Sequence, residues 1–205
     1  MKILKYSFSM LLAVAIVALT ASCRDESLNP VPAWETAVSG YGELVTTNNA
    51  FSLTDYAKDV QFKYRWVSID NLNTVTKIEY YVALNETYLD KEGNSRTARH
   101  GDKLWKVVES SAVPANRTYF NQSITQAAVL ALYKDNTFDY GKGLGKLNVF
   151  TQNGRTTAKP FIAADKVVVR WELTTADGRK FTVWSPGVCG ENPGYANCDL
   201  TIAVK

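Results

Sequence analysis

The stretch VQFKYRWV, residues 60–67, decides the fold class of this 205-residue chain. Apolar and aromatic side chains occupy every second position, and Gln61, Lys63 and Arg65 occupy positions between them. Successive side chains of a β-strand point to opposite faces, so this period of two predicts a half-buried strand. The residues on its predicted inward face are Val60, Phe62, Tyr64 and Trp66.

Two further stretches repeat the alternation. KIEYYVAL (77–84) and VVVRWELT (167–174) each place four large side chains on one face. These inward residues are Ile78, Tyr80, Val82, Leu84, Val167, Val169, Trp171 and Leu173. Weaker patterns predict strands at 41–47, 103–109, 146–151, 180–185 and 199–205. Asp177-Gly178 favours positive backbone angles and predicts a hairpin.

One segment follows a helical period instead. SITQAAVLALYK (123–134) spaces Ile124, Ala127, Ala128, Ala131 and Leu132 as one helix face. Ser123 and Gln126 have the spacing of a capping box at a helix start. Many short strands and one helix predict a mainly β, antiparallel sandwich with long loops, formed as a single domain by residues 37–205.

The first 22 residues have the features of a secretory leader. Two lysines are followed by the apolar run 10–19, which is shorter than the roughly 20 residues of a membrane span. Small residues then lead directly to Cys23. That order resembles the lipoprotein box of bacteria, which implies that residues 1–22 are removed and that Cys23 is acylated. The alternative is an ordinary secreted protein, cleaved near Ala21, with a free cysteine.

The residues after Cys23 predict where the protein is displayed. Arg24, Asp25 and Glu26 resemble the charged export signal of Bacteroidota lipoproteins that reach the outer face of the outer membrane. The rest of segment 23–36 contains prolines and charges typical of a tether. We therefore expect a lipid-anchored protein exposed at the cell surface.

If Cys23 is lipidated, Cys189 and Cys198 remain. An even pair of cysteines in an exported chain predicts a disulfide, here closing the loop CGENPGYANC. The alternative, a zinc site, needs more ligands than two cysteines without a nearby histidine.

Charge and motif content favour a protein without catalytic activity or a cofactor. The formal net charge of +3 implies no strongly basic face, so nucleic acid is not an expected partner. No G-x-S-x-G elbow or phosphate loop is present. The single histidine, His100, lies in a charged, turn-rich segment and is expected at the surface. Glu79 and Glu172 are expected on outward faces as solvated charges.

Aromatic side chains are the remaining candidates for ligand contact. Trp66 and Trp171 belong to predicted inward faces and are expected in the core. Trp105 and Trp184 have the opposite parity to their apolar neighbours, and Tyr195 lies within the predicted disulfide loop. These three are the predicted ligand-binding residues.

Two long stretches carry a resemblance to a family. KIEYYVALNETYLDKEGN (77–94) and VRWELTTADGRKFTVWSPGVCGENPGYANCDLTIAVK (169–205), together with the leader, resemble small surface lipoproteins of Bacteroidota. Such proteins are encoded beside a TonB-dependent transporter and its glycan-capturing lipoprotein in starch-utilisation-type systems. The resemblance implies a sandwich of the immunoglobulin-like or fibronectin-III-like type.

The resemblance also implies a function. We expect a non-catalytic accessory lipoprotein that supports nutrient capture, either by weak carbohydrate binding or by docking on an outer-membrane transporter complex. The alternative is a structural or adhesive surface protein with no small ligand.

Overall fold

The alternating stretches become strands of a mainly β fold. The computed structural model describes residues 37–156, 158–182 and 199–205, all within one compact unit, Thr36–Lys205. In these ranges the strands are β1 (Val38–Leu44), β2 (Ala50–Phe51), β3 (Val60–Ser68), β4 (Val75–Leu89), β5 (Ser95–Glu109), β6 (Phe120–Ile124), β7 (Thr137–Asp139), β8 (Lys146–Asn148), β9 (Lys166–Thr175), β10 (Lys180–Phe181) and β11 (Leu200–Val204). One helix, α1 (Gln126–Tyr133), lies between β6 and β7.

Two sheets contain most of these strands. The first has the order β1-β3-β6, and the second has the order β2-β11-β9-β4-β5, with β10 also paired to β9. Pairing is antiparallel except between β11 and the short β2, which are parallel. Strands β7 and β8 form a separate hairpin. The predicted antiparallel β class is therefore confirmed.

Aromatic rings join the inner faces of the two sheets. Tyr64 of β3 contacts Tyr80 of β4 and Trp171 of β9, with ring centroids 5.4 and 5.0 Å apart. Phe62 of β3 also contacts Tyr80, with ring centroids 6.1 Å apart. All four side chains are buried, as their inward parity predicts. Edge-on contacts between such rings add to the free energy gained by burying their area.

Strand β5 departs from simple alternation at two places. Tyr80 pairs with Lys106 and Tyr81 with Leu104, so Trp105 is an additional residue in the strand. Such a bulge redirects side chains. As a result Trp105 packs against Phe62 and Tyr80, while the Lys106 ammonium donates to Gln122 of the other sheet at 2.6 Å.

The second irregularity places His100 and Gly101 opposite Leu84, because Ala83 pairs with Asp102 and Asn85 pairs with Arg99. Gly101 has φ +76°, the left-handed conformation that glycine adopts at many bulges. The strand keeps Ala98 and His100 on its inner face before the bulge.

Helix α1 exists, but its predicted start was wrong. Ser123 belongs to β6, and the cap is Thr125, whose hydroxyl accepts from the Ala128 amide at 3.2 Å. The predicted helix face holds only in part, because Leu132 packs against the core but Ala127 and Ala131 are exposed. The buried residues of the helix are Gln126, Val129 and Tyr133. The Tyr133 hydroxyl reaches the Gly101 carbonyl at 2.6 Å, which ties the helix to β5.

The weaker strand predictions hold only in part. The hairpin at Asp177-Gly178 is confirmed, since Gly178 has φ +83° and β10 returns along β9. Strand β5 begins at Ser95, eight residues before the predicted start at 103. Strand β8 ends at Asn148, where the Asn148 side chain caps a short 3-10 turn. The predicted leader, tether and disulfide loop lie outside the described residues.

Gly40 of β1 lies where a side chain cannot fit. A Cβ atom there would fall against the Tyr64 hydroxyl and the Trp171 indole nitrogen, both on the inner faces. We expect Gly40→Ala to lower the free energy of unfolding by about 1–3 kcal/mol through overpacking. Urea denaturation followed by tryptophan fluorescence measures this loss.

Gly42 provides the matched control, because it lies on the same strand. Its added Cβ would meet the Leu200 Cδ1 atom at 2.9 Å, at the end of a flexible side chain, and would approach the Trp171 ring no closer than 3.2 Å. Gly42→Ala should therefore destabilise less than Gly40→Ala, and an equal loss would contradict the proposed contact with Tyr64 and Trp171.

Candidate functional site

A cleft of about 570 Å³ opens where the β3–β4 connection meets the segment after β5. We call it the amide cleft. Its lining side chains come from segments 66–76 and 110–116, and in this described lining all of them are uncharged. The polar members are Asn71, Asn73, Thr74, Thr76, Ser110 and Asn116. Trp66 and Val113 supply apolar surface. The lining can thus make hydrogen bonds without a fixed charge.

Asn116 connects the two segments that form the cleft. Its Oδ1 accepts from the Ser68 amide at 2.9 Å, and its Nδ2 donates to the Ser68 carbonyl at 3.0 Å and to Asn71 Oδ1 at 2.6 Å. The indole of Trp66 donates to the Pro114 carbonyl at 2.8 Å. These contacts hold the loop after β5 against the end of β3.

The backbone at the cleft adopts unusual conformations. Asn71, Ser110 and Arg117 have φ values of 59°, 50° and 64°. Residues other than glycine visit this left-handed region infrequently, and they stay there only when surrounding contacts enforce it. The Arg117 amide donates to the Trp66 carbonyl at 2.9 Å, which is one such contact.

Asn73 is the buried polar group of the cleft. The residue is 6% exposed, and its Oδ1 accepts from the Arg179 guanidinium. Its Nδ2 is buried and has no acceptor among the described residues. A buried donor without a partner is unfavourable by about 1–3 kcal/mol, so a bound molecule that offers an acceptor would gain from this position.

A second polar cluster lies inside the protein, between β4, β5 and the chain before β9. Arg155 donates to both oxygens of Asp165 at 2.5 Å, to Glu86 Oε2 at 2.8 Å and to the Pro160 carbonyl at 2.7 Å. Glu86 also accepts from the Tyr140 hydroxyl. The side chains of Glu86, Arg155 and Asp165 are fully buried. We call this group the Arg155 cluster.

His100 belongs to this cluster, so its predicted surface position was wrong. Its side chain is 2% exposed, and Nε2 lies 3.1 Å from Glu86 Oε1. Because an ionised carboxylate only accepts hydrogen bonds, Nε2 carries the hydrogen. The ring also packs edge-on against Phe138, with centroids 5.5 Å apart. Its inner-face position on β5 produces this burial.

The cluster sets the ionisation of Glu86. Burial raises the pKa of this carboxyl, but the hydrogen bonds from His100 and Tyr140 and the charge of Arg155 outweigh burial and hold the pKa below its ordinary value. Burial, together with the hydrogen bond to Glu86, raises the pKa of the Tyr140 phenol. Glu86 is therefore the charged acceptor and Tyr140 the neutral donor.

Trp105 is the one predicted ligand residue within the described ranges, and it does not line the amide cleft. Trp105 is half-buried, with its ring against the core, and its role in ligand contact stays a prediction. Trp184 and Tyr195 lie outside the described residues, as do Cys23, Arg24, Asp25, Glu26, Cys189 and Cys198. Among the described residues, no group of three or more His, Cys, Asp and Glu side chains is arranged to hold a metal ion.

Sequence reasoning missed Asn73, Asn116 and Glu86. Both asparagines lie in turn-rich segments, where asparagine is common for backbone reasons alone. Glu86 did carry a signal. It continues the inward parity of Tyr80, Val82 and Leu84, and a carboxylate on a buried face requires a partner.

Removing the guanidinium should leave two buried carboxylates without their cation. We expect Arg155→Met to lower the free energy of unfolding by about 3–5 kcal/mol, the usual loss when a buried ion pair is broken from one side. Chemical denaturation measures this change.

Arg170 gives the control, since it pairs with Asp102 at 2.9 Å while 37% of its side chain is exposed. Arg170→Met should lower stability by less than about 1 kcal/mol. Equal losses for the two variants would show that burial of the Arg155 cluster has no special role.

Comparison with known proteins gives a distant structural likeness. No family model and no curated protein matches the sequence. Among solved structures, the sporulation control protein Spo0M from Bacillus subtilis is similar, with 9% identity and a TM-score of 0.31. The match covers 83% of this chain and 50% of Spo0M, so the chain spans about half the length of that protein.

Proposed function

We propose that this protein is a non-catalytic lipoprotein of the outer-membrane surface that binds a neutral glycan in the amide cleft. The observation that carries this proposal is the unpartnered Nδ2 of buried Asn73, within a described lining that contains no charged side chain. Sugars present many hydroxyl groups, each able to accept from an amide N–H and to donate to a carbonyl.

The size and composition of the cleft suit such a ligand. Its volume of about 570 Å³ falls within the roughly 300–1,000 Å³ of small-molecule sites. Further donors and acceptors in the lining come from Asn71, Thr74, Thr76 and Ser110. Trp66 contributes an apolar edge, although it is only 3% exposed and offers no open ring face for stacking.

The same lining favours binding over catalysis. General acid–base and nucleophilic chemistry needs groups such as carboxylates, imidazoles or thiols that can transfer a proton or attack. In the described part of the chain, none of these groups lines the amide cleft. His100 and Glu86 are close together, but both side chains are buried and engaged within the Arg155 cluster.

The leader supports the cellular location. An acylated Cys23, followed by Arg24, Asp25 and Glu26, would display the domain outside the cell. Among the described residues, no helix is sufficiently long and apolar to cross the bilayer. The two facing sheets are compatible with an immunoglobulin-like or fibronectin-III-like sandwich, and we include that fold type in the proposal.

Docking on a transporter complex is the second candidate function. Ile69 and Leu72 lie on the β3–β4 connection beside the cleft and are 73% and 74% exposed. Exposed apolar side chains at one loop favour contact with another protein. A structural or adhesive role without a small ligand would use the same surface. A glycan screen that detects no binding would favour docking or the structural role over glycan capture.

Asn73→Asp tests glycan binding with little change in shape. The new carboxylate keeps an oxygen for Arg179 but removes the Nδ2 donor. We expect wild-type protein to bind at least one neutral glycan on an array, and the variant to bind it about tenfold more weakly, the loss of one hydrogen bond. Calorimetry with that glycan measures the ratio, and thermal unfolding shows whether the fold is intact.

Asn121→Asp is the matched control, because it makes the same charge change at an exposed position on β6. Its affinity for the glycan should equal that of the wild type. Absence of any bound glycan, or equal weakening by both substitutions, would refute binding through Asn73.

Cys23→Ala tests the anchor. Acylated wild-type protein should sediment with membranes, because two or more buried acyl chains hold a protein there stably. The variant should appear in the soluble fraction. Cys189→Ala removes a different thiol and should still sediment. Ultracentrifugation and immunoblotting measure the distribution, and membrane association of a Cys23→Ala protein that has lost its leader would contradict lipidation at this residue.

A further inference from the structure

A second, smaller pocket lies against helix α1, among different residues from those of the amide cleft. Its volume is about 240 Å³. Ala127 and Leu130 of the helix, with Pro160 and Phe161 of the segment before β9, give it apolar walls. Gln126 and Tyr56 are its polar members, and its described lining contains no charged side chain. We call it the helix pocket.

Two buried polar atoms at the helix pocket lack hydrogen-bond partners among the described residues. Gln126 is 2% exposed; its Nε2 donates to the Ser52 carbonyl at 2.7 Å, which fixes the orientation of the amide. Its Oε1 has no donor within the described residues. The Tyr56 hydroxyl is likewise buried, with no partner among them. One atom can only accept a hydrogen bond, whereas the other can donate or accept.

The walls of the pocket are held in place. Phe161 is buried and packs against Phe51 and Phe150, with centroids 6.4 and 5.5 Å away. The Pro160 carbonyl accepts from Arg155, so the Arg155 cluster positions this side of the pocket. A pocket between a fixed segment and a helix can keep its shape without a ligand.

We propose that the helix pocket binds a small neutral molecule with a mainly apolar, phenol-like body and one hydroxyl group. That hydroxyl would donate to Gln126 Oε1 and accept from the Tyr56 hydroxyl, while the ring contacts Leu130 and Phe161. The pocket is slightly smaller than the roughly 300–1,000 Å³ typical of drug-sized ligands, which favours a single ring. Uncharged walls disfavour an ionic ligand because they would not compensate its loss of hydration.

The site is independent of glycan capture in the amide cleft. It uses other residues, and its ligand has one polar group where a sugar has many. If no glycan binds in the amide cleft, the proposal for the helix pocket is unaffected. If the helix pocket binds no ligand, the proposal of glycan binding is likewise unaffected.

The test titrates the Cys23→Ala protein without its leader, which avoids detergent, with p-cresol and with toluene. The two probes share a ring and methyl group, but only p-cresol has a hydroxyl. We expect p-cresol to shift the Gln126 side-chain amide resonances in nitrogen–proton NMR spectra. Its affinity should exceed that of toluene by about tenfold, corresponding to the hydrogen bonds of one hydroxyl.

Two tyrosine variants complete the test. Tyr56→Phe removes a buried hydroxyl that has no partner among the described residues, so it should not lower the unfolding temperature. It should weaken binding of p-cresol about three- to tenfold and leave the affinity for toluene unchanged. Tyr80→Phe is the matched control, because in the described structure its hydroxyl is also buried without a partner, but it lies in the core between the sheets. Tyr80→Phe should change neither the affinity for p-cresol nor the affinity for toluene.

Two results would overturn the proposal. The Gln126 amide resonances could stay unchanged up to about 10 mM p-cresol, which would show that the pocket holds water only. Alternatively, p-cresol and toluene could bind equally, with no effect of Tyr56→Phe, which would show an apolar cavity without hydroxyl recognition.

Discussion

The guanidinium of Arg155 fixes the path of the long connection between β8 and β9. Transfer of each charged group from water to the protein interior costs several kcal/mol, so a buried charge needs well-placed partners to compensate this loss of hydration. The Arg155 guanidinium donates four hydrogen bonds: Asp165 accepts two, Glu86 accepts one and the Pro160 carbonyl accepts the fourth. Because Glu86 belongs to β4 and Asp165 directly precedes β9, Arg155 attaches the middle of this connection to the large sheet at two strands.

This attachment determines the local architecture around it. Pro160 and Phe161 are held over the pocket beside α1, and Phe161 completes a row of rings with Phe51 and Phe150. His100 reaches the same cluster from β5 through Glu86. Polar and aromatic contacts therefore cooperate here: the ion pairs set the position of the chain, and the rings fill the space that this position leaves.

The sequence predicts those parts of the fold that depend on local alternation. Phe62, Tyr80 and Trp171 are inward because a strand has a period of two, and no tertiary information is needed to see it. The bulge at Trp105 escapes this reasoning, since an additional residue changes parity only once the partner strand is known. The start of α1 was misplaced because Ser123 satisfied a capping spacing while its backbone pairs with Gln61 in the first sheet.

The candidate sites were less predictable than the strands, for a related reason. Asn73 and Asn116 are separated by many residues and meet only because the β3–β4 connection and the loop after β5 lie at one end of the sheets. Turn propensity explains each asparagine by itself, and nothing local indicates that they share a cleft. The burial of Glu86 was easier to predict, because the alternation of β4 alone places its side chain on the inner face. A buried carboxylate needs a positively charged or hydrogen-bonding partner.

Unpaired buried atoms mark a binding site only when space lies beside them. The hydroxyls of Tyr64 and Tyr80 have no partners among the described residues, yet these rings fill the core between the sheets, and burial raises the pKa of both phenols. Nothing large can reach them there, so their unmet hydrogen bonds are a consequence of ring packing. Asn73 and Gln126 differ because each lines an open volume. In those two places a ligand can supply the missing partner, and the unfavourable free energy of the unpaired group becomes part of the affinity.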